Sequence, residues 1–313
     1  MNAKILIPLL LAVVAIAGCV GQGEQKPTAG LGAAILSFAP FQDSVYTAKN
    51  VTLTMTVENQ GDYDIENETA FAYLMGSNLK ESSTPDSNAW ITDSSYRYFL
   101  KDLKPADPTR QIPAGQVSLK WTLTAPTGFS RGQSRTDTFI GRFYYLYNTT
   151  VDTTAWIYSN SEATAEKAKG NALTPPTSSY SRGPLEVTVD YAPKNPVVED
   201  GSFTMYIKIK NVGGGTVFKV DSMSSSLPPF SPSIPEEKLN KVDITIGGYP
   251  SDFTGVSECE GEQELLSGKE TVITCDVKIP SNLNTPKTGF SPKITISYGY
   301  YIDAQTQITV QGK

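Results

Sequence analysis

Two stretches of this chain alternate apolar and polar residues in the same way, about 152 positions apart. Val51, Leu53, Met55 and Val57 alternate with Thr52, Thr54, Thr56 and Glu58. Phe203, Met205, Ile207 and Ile209 alternate with Thr204, Tyr206, Lys208 and Lys210. Period two with one apolar face is the pattern of a half-buried antiparallel strand. Each stretch runs into Asn-x-Gly, Asn59-Gln60-Gly61 and Asn211-Val212-Gly213. Asn and Gly tolerate positive φ, so a turn or bulge is expected there. Three more segments repeat in the same order. Ser37–Pro40 matches Asp190–Pro193, residues 113–126 match 266–280, and residues 143–157 match 298–310. Four segments at a near-constant offset indicate a duplication. The expected architecture is all-β, two tandem antiparallel β-sandwiches at 31–159 and 184–313.

This layout resembles the immunoglobulin-like modules of archaeal and bacterial cell surfaces, in particular the CARDB-like group. There a strand ending in V-x-N-x-G, as at Val57-Glu58-Asn59-Gln60-Gly61, precedes a strand that ends near proline, as at Pro126. The resemblance covers both copies. It implies immunoglobulin-like sandwiches working outside the cell, with contact-making loops. Residues 76–112 and 222–265 depart from it, being longer and richer in Pro and Ser than a compact module needs. Residues 160–183 read as the linker. SEATAEKAKG suits a short helix, which Pro175, Pro176 and Pro184 stop.

The N-terminus points to the same compartment. One positive charge in residues 1–4 precedes the apolar run 5–17, which is short for a membrane span. Ile16-Ala17-Gly18-Cys19 resembles the lipobox of prokaryotic lipoproteins. That resemblance implies a signal peptide at 1–18, cleavage, and a lipid on Cys19 holding the protein to the outer side of the cell membrane. Stable anchoring takes at least two lipid chains. Residues 20–30 then form a flexible tether.

Composition excludes several functions. The chain has no His, 26 Lys plus Arg and 32 Asp plus Glu, with net charge −6. Imidazole-dependent catalysis is ruled out, and a mildly acidic chain without basic clusters is no phosphate-backbone binder. There are three Cys, too few for an all-Cys zinc site. With Cys19 assigned to lipid, Cys259 and Cys275 are expected to pair outside the cell, the alternative being two buried thiols. No nucleophile–base pair, phosphate loop, metal site or cofactor motif emerges, so no catalytic residue is assigned. Ser118 and Lys120 share an exposed strand face, and Gly213–Gly215 reads as a turn.

Four further features could serve recognition. Asn50, Asn67 and Asn148 head glycosylation sequons, at about the chance frequency for this composition. Asp62, Asp64, Glu66 and Glu68 supply oxygens that suit calcium, or form a solvated face. Tyr144, Tyr145, Tyr147, Tyr298, Tyr300 and Tyr301, with Tyr96 and Tyr98, form either a sugar- or protein-binding surface or core and cross-strand packing. On a strand, Phe143, Tyr145 and Tyr147 share one face, and Tyr144 and Leu146 the other. Finally, edge strands could pair with another chain. The combined expectation is a non-enzymatic, lipid-anchored extracellular protein that contacts surface proteins or itself. The alternative is a carbohydrate-binding or accessory module of a surface transporter or enzyme complex.

Overall fold

The computed structural model describes residues 32–76, 78–98, 100–222, 234–281 and 285–313. The signal peptide, Cys19 and the tether lie outside these residues. In the first copy the strands are β1 (Ala33–Pro40), β2 (Ser44–Tyr46), β3 (Asn50–Asn59), β4 (Ala70–Gly76), β5 (Leu79–Glu81), β6 (Trp90–Thr92), β7 (Tyr96–Arg97), β8 (Gln116–Thr124) and β9 (Ser134–Tyr158). Helix α1 (Asn160–Ala168) and β10 (Thr177–Tyr180) occupy the connection. The second copy has β11 (Leu185–Ala192), β12 (Ser202–Asn211), β13 (Thr216–Phe218), β14 (Lys241–Gly247), β15 (Gly261–Glu264), β16 (Glu270–Lys278), β17 (Lys287–Phe290) and β18 (Lys293–Gln311). The all-β expectation holds. The alternating stretches are β3 and β12, each with its apolar face buried.

The two copies share a sheet. β9 is 25 residues long and β18 is 19, several times an ordinary strand. They pair antiparallel without a register break from Lys293↔Asp152 to Gln311↔Ser134. At about 3.3 Å per residue this ladder runs about 60 Å. It lies at the middle of a ten-stranded sheet in the order β15-β14-β18-β9-β4-β7, to which β2, β10, β13 and β17 add. Two smaller sheets, β1-β3-β8-β6-β5 and β11-β12-β16, complete the sandwiches.

Both small sheets cover the same face of the shared sheet. Every odd-numbered residue of β9 from Asp137 to Ile157 is buried. Near its start, this face meets the first small sheet. Trp90 packs edge-on against Phe139 at 5.5 Å, and a Cβ on Gly141 would collide with Phe38 and Met55. Near its end it meets the second small sheet, where Thr153 Oγ1 lies 3.0 Å from Tyr191 Oη. Each sandwich therefore takes half of β9 and half of β18, so neither copy builds its second layer from its own residues alone. Most buried apolar residues of both copies form one continuous core, and Phe71, Tyr144 and Phe218 form a second cluster.

The connection between the copies also joins the shared sheet. α1 forms where the Ala/Glu/Lys run predicts it, with Ser159 Oγ accepting from Glu162 N at its N-terminus. β10, from the Pro/Ser-rich stretch beyond, pairs antiparallel with β9 at residues 151–154. The long connection 76–112 supplies β5 and β6, which extend the first small sheet from β8.

Candidate functional site

The middle of the β9–β18 ladder is a waist related by a local twofold. Tyr147 stands opposite Tyr298, and Tyr145 opposite Tyr300. Tyr147 in the first copy corresponds to Tyr300 in the second. Tyr147 Oη accepts from the amides of Asp62 and Tyr63 at 2.9 and 3.0 Å and donates to Arg182 O at 2.8 Å. Tyr300 Oη accepts from Gly215 N at 2.7 Å and donates to Asn211 Oδ1 at 2.8 Å. Tyr145 corresponds to Tyr298 in the same way. Tyr145 Oη accepts from Ala33 N at 3.1 Å, and Tyr298 Oη takes a backbone hydrogen bond from Leu185, the equivalent of Ala33. Tyr298 Oη also bonds Thr149 Oγ1 at 2.8 Å.

The Asn-x-Gly turns end at this waist. Asn59 is fully buried; its Nδ2 donates to Tyr63 O and Leu103 O at 2.8 and 2.7 Å, and its Oδ1 accepts from Gly61 N. Asn211 repeats the arrangement with Gly215 O, Gly268 O and Gly213 N. These two side chains satisfy turn backbone that would otherwise be buried without partners. The turns were legible in the sequence, but the structural work of the Asn amides was not. The chain also reaches the waist from its N-terminal side: Gln60 N and Gly61 N both donate to Gly32 O, at 2.7 and 3.1 Å.

Burial corrects the binding-surface reading of the tyrosines. Tyr144, Tyr145, Tyr147, Tyr298 and Tyr300 are each at most 1% exposed, and Tyr301 is half-buried. The rings pack tilted or edge-on against one another, and the hydroxyls of Tyr145, Tyr147, Tyr298 and Tyr300 hold the waist, so the five fully buried rings present no face to a ligand. Burial raises Tyr147 and Tyr300 to about 12 and lifts Tyr145 and Tyr298 well above the ordinary value of 10.0. On the opposite face, Tyr144 stacks on Phe71 at 4.9 Å, and Arg142 lies 4.0 Å over Tyr301 while gripping both Asp303 oxygens at 2.7 and 2.8 Å. Tyr98, 36% exposed and packed against Phe71, marks the open end of this aromatic row.

The other candidates fall out as follows. Cys259 and Cys275 form a disulfide with Cα atoms 5.8 Å apart, closing a loop worth about 3 kcal/mol in the chain-entropy treatment. Met205 pairs with Cys275 as Leu53 pairs with Trp121, so the disulfide fills the core position that Trp121 fills in the first copy. The acidic run takes the solvated-face alternative, with Asp62, Glu66 and Glu68 exposed. Asp62 is 2.8 Å from Arg182 and Asp64 is 2.7 Å from Lys104, which neutralises half of the proposed ligand set. Among the described residues no cluster of three or more acidic or Cys groups is arranged for a metal. Asn50 is exposed at the start of β3, Asn67 is half-buried in a short 3-10 turn, and Asn148 is half-buried within β9. Among the described residues no helix is long and apolar enough to cross a membrane.

No known family matches this sequence. No curated protein matches it either. Among solved structures, an alpha-2-macroglobulin variant from Salmonella is 8% identical, with a TM-score of 0.21, and the match covers 88% of this chain and 16% of that one. Escherichia coli alpha-2-macroglobulin activated by porcine elastase is 10% identical with a TM-score of 0.21, covering 90% and 33%. The collagen-binding domain of Erysipelothrix rhusiopathiae surface protein RspB is 10% identical with a TM-score of 0.11, covering 90% and 91%. This chain thus spans well under half of either macroglobulin. At TM-scores this low, the likenesses carry no weight for kinship or activity.

Proposed function

We propose that this is a non-enzymatic lipoprotein on the outer side of the cell membrane, a rigid two-lobed body for protein–protein contact or self-assembly. The observation that carries this reading is the shared ladder with Gly32 at its middle. A lipid on Cys19 would hold the molecule by its waist rather than by one end. Read from the sequence as a flexible tether, residues 20–30 would give a root-mean-square reach of about 20 Å. The ladder, about 60 Å long, would then display a lobe to each side. The Cys259–Cys275 disulfide supports an oxidising compartment. The lobes fit the CARDB-like, immunoglobulin-like reading of the sequence, in which loops at the sandwich ends make the contacts. The glycan-binding alternative loses its main support, because the tyrosines that suggested it are buried.

The test is the Cys19→Ser variant expressed in a prokaryotic host with lipoprotein processing. Wild-type protein is expected in the membrane fraction and in the detergent-rich phase on partitioning, and the variant in the soluble phase. Equal partitioning of the two would sink the lipid anchor. Cross-linking on intact cells then separates the roles. Links to itself or to envelope proteins support the contact reading, and links confined to a solute transporter support the accessory-module alternative.

A further inference from the structure

The first small sheet continues past β8 into β6 and β5, both supplied by the insertion 76–112. β5 and β6 run parallel, so the chain crosses from one to the other over residues 82–89. That crossover is pinned. Thr127 N and Gly128 N donate to Asp86 O and Ser87 O, both at 2.9 Å, and Asp86 Oδ1 accepts from Asn88 N and Ala89 N at 2.7 and 2.9 Å. Between the start of the crossover and β8 lies a groove of about 630 Å³, a volume typical of ligand sites. Glu81, Ser82 and Ser83 line it on the crossover side, and Thr122 and Thr124 on β8. Ile91, which pairs with Thr124 and is 6% exposed, lies between them. In the second copy the equivalents of Thr122 and Thr124 are Asp276 and Lys278, and backbone lies directly on them. Lys278 N donates to Thr254 O at 2.9 Å, and a Cβ on Gly255 would collide with Asp276 O. The groove therefore belongs to the insertion and not to the shared module, and sites are grafted onto folds at such insertions.

The polar lining is held in place. Glu81 Oε1 accepts from Ser95 N at 2.7 Å and from Ser95 Oγ. Asp93, also in the lining, accepts at Oδ1 from Arg97 Nη2 at 2.7 Å. Arg97 is itself fixed, its Nε donating to Lys120 O at 2.7 Å and its Nη1 to Ser94 O and Tyr96 O at 2.9 and 2.8 Å. Arg97 thus neutralises Asp93. The nearby Lys80 is taken by Asp86 at 2.7 Å, so Glu81 keeps its charge uncompensated. A carboxylate only accepts hydrogen bonds, and a Ser or Thr hydroxyl both donates and accepts. The complement of these groups is a run of neighbouring hydroxyls. A basic segment would find one uncompensated carboxylate, an apolar ligand only Ile91, and a phosphate a net negative charge.

We propose that this groove binds a neutral saccharide. Glu81 accepts from its hydroxyls, Ser83 and Thr122 exchange hydrogen bonds with them, and Ile91 meets the C–H face of a ring. Preorganised side chains favour such a ligand, because the bonds from Ser95 and Arg97 fix the two carboxylates before it arrives. The site is independent of the tyrosines whose burial weakened the glycan-binding alternative. It goes beyond the protein-contact reading, giving the first lobe a ligand of its own.

The test is a nuclear magnetic resonance titration of the full chain with linear trisaccharides of glucose, of mannose and of N-acetylglucosamine, each at up to about 5 mM. At least one of them is expected to shift the amide signals of Ile91, Asp93 and Thr122 saturably. The shifts are expected to be the same at about 0.05 and 0.5 M salt, because the ligand is uncharged. Glu81→Gln keeps an acceptor for Ser95 N, and Thr122→Val keeps a strand-forming side chain at an exposed position. Each is expected to weaken binding about tenfold or more while the melting temperature moves little. Three results overturn the proposal. The first is no shift at these amides with any of the three sugars. The second is binding that survives both substitutions, which would put the sugar elsewhere. The third is a salt-sensitive shift with hexalysine in place of the sugars, which would make the groove a site for basic segments. The assay needs neither lipid nor cell, so its failure leaves the anchoring test untouched, and failure of the anchoring test leaves this one standing.

Discussion

Residues 32–159 expressed alone are expected to yield no folded monomer. The first sandwich lacks β18, the neighbour of β9 along its whole paired length. The second half of β9 would also expose Val151, Ala155 and Ile157, all at most 1% exposed in the intact chain. Burying such side chains is worth about 1.5–3 kcal/mol each for the larger ones, and an unpaired edge with an apolar face drives association. The fragment is expected to elute as a dimer or larger species or to precipitate. Residues 160–313 are expected to behave alike, and mixing the two during refolding to restore a monomeric complex. Size-exclusion chromatography with circular dichroism decides this. A monomeric 32–159 fragment that melts cooperatively near the temperature of the intact chain would show that the copies are independent.

The second large effect concerns alkaline pH. Burial raises Tyr144, Tyr147, Tyr191 and Tyr300 from 10.0 to about 12, and lifts Tyr145 and Tyr298 well above 10.0. Each is neutral in the folded chain at pH values where it ionises in the unfolded chain. The unfolded state therefore binds fewer protons between pH 10 and pH 12, and stability falls as pH rises through that window; below pH 10 the contribution is intact. A two-unit shift is worth about 2.7 kcal/mol per group. Four such groups together approach the whole stability of an ordinary domain, about 5–15 kcal/mol. The chain is thus expected to unfold cooperatively soon after pH 10, with the buried tyrosines ionising in the same step. Tyrosinate absorbance and circular dichroism recorded together test this. Smooth ionisation of all 16 tyrosines near pH 10 with the native circular dichroism intact would contradict it.

Much of this fold was legible in the sequence, because strand periodicity and duplication are local signals. β3, β12 and the Asn-x-Gly turns follow from periodicity and repeat spacing, the short helix from its Ala/Glu/Lys run, and the cysteine pair from the compartment once Cys19 is set aside. The alternation of Phe143, Tyr145 and Tyr147 against Tyr144 and Leu146 was also readable. What it meant was not. A strand buried on one face and a strand covered on both faces at its middle give similar aromatic patterns, and only the second leaves tyrosine no outlet to solvent. The union of β9 and β18 was hidden for a different reason. Repeats show which residues correspond, as Tyr147 does to Tyr300, but a twofold pairs each residue with a non-equivalent one, Tyr147 with Tyr298. The Pro/Ser-rich linker concealed β10 in the same way, since its pairing partner is supplied by the shared sheet.

The central claim is that the two copies form one cooperative body through the β9–β18 ladder. Native-state hydrogen exchange in rising denaturant tests it most directly. The slowest amides of the two small sheets, in β3 and in β12, are expected to reach one exchange free energy with one denaturant dependence, because opening either lobe breaks the sheet both share. Two separate isotherms, with β3 opening globally while β12 stays protected or the reverse, would contradict the claim.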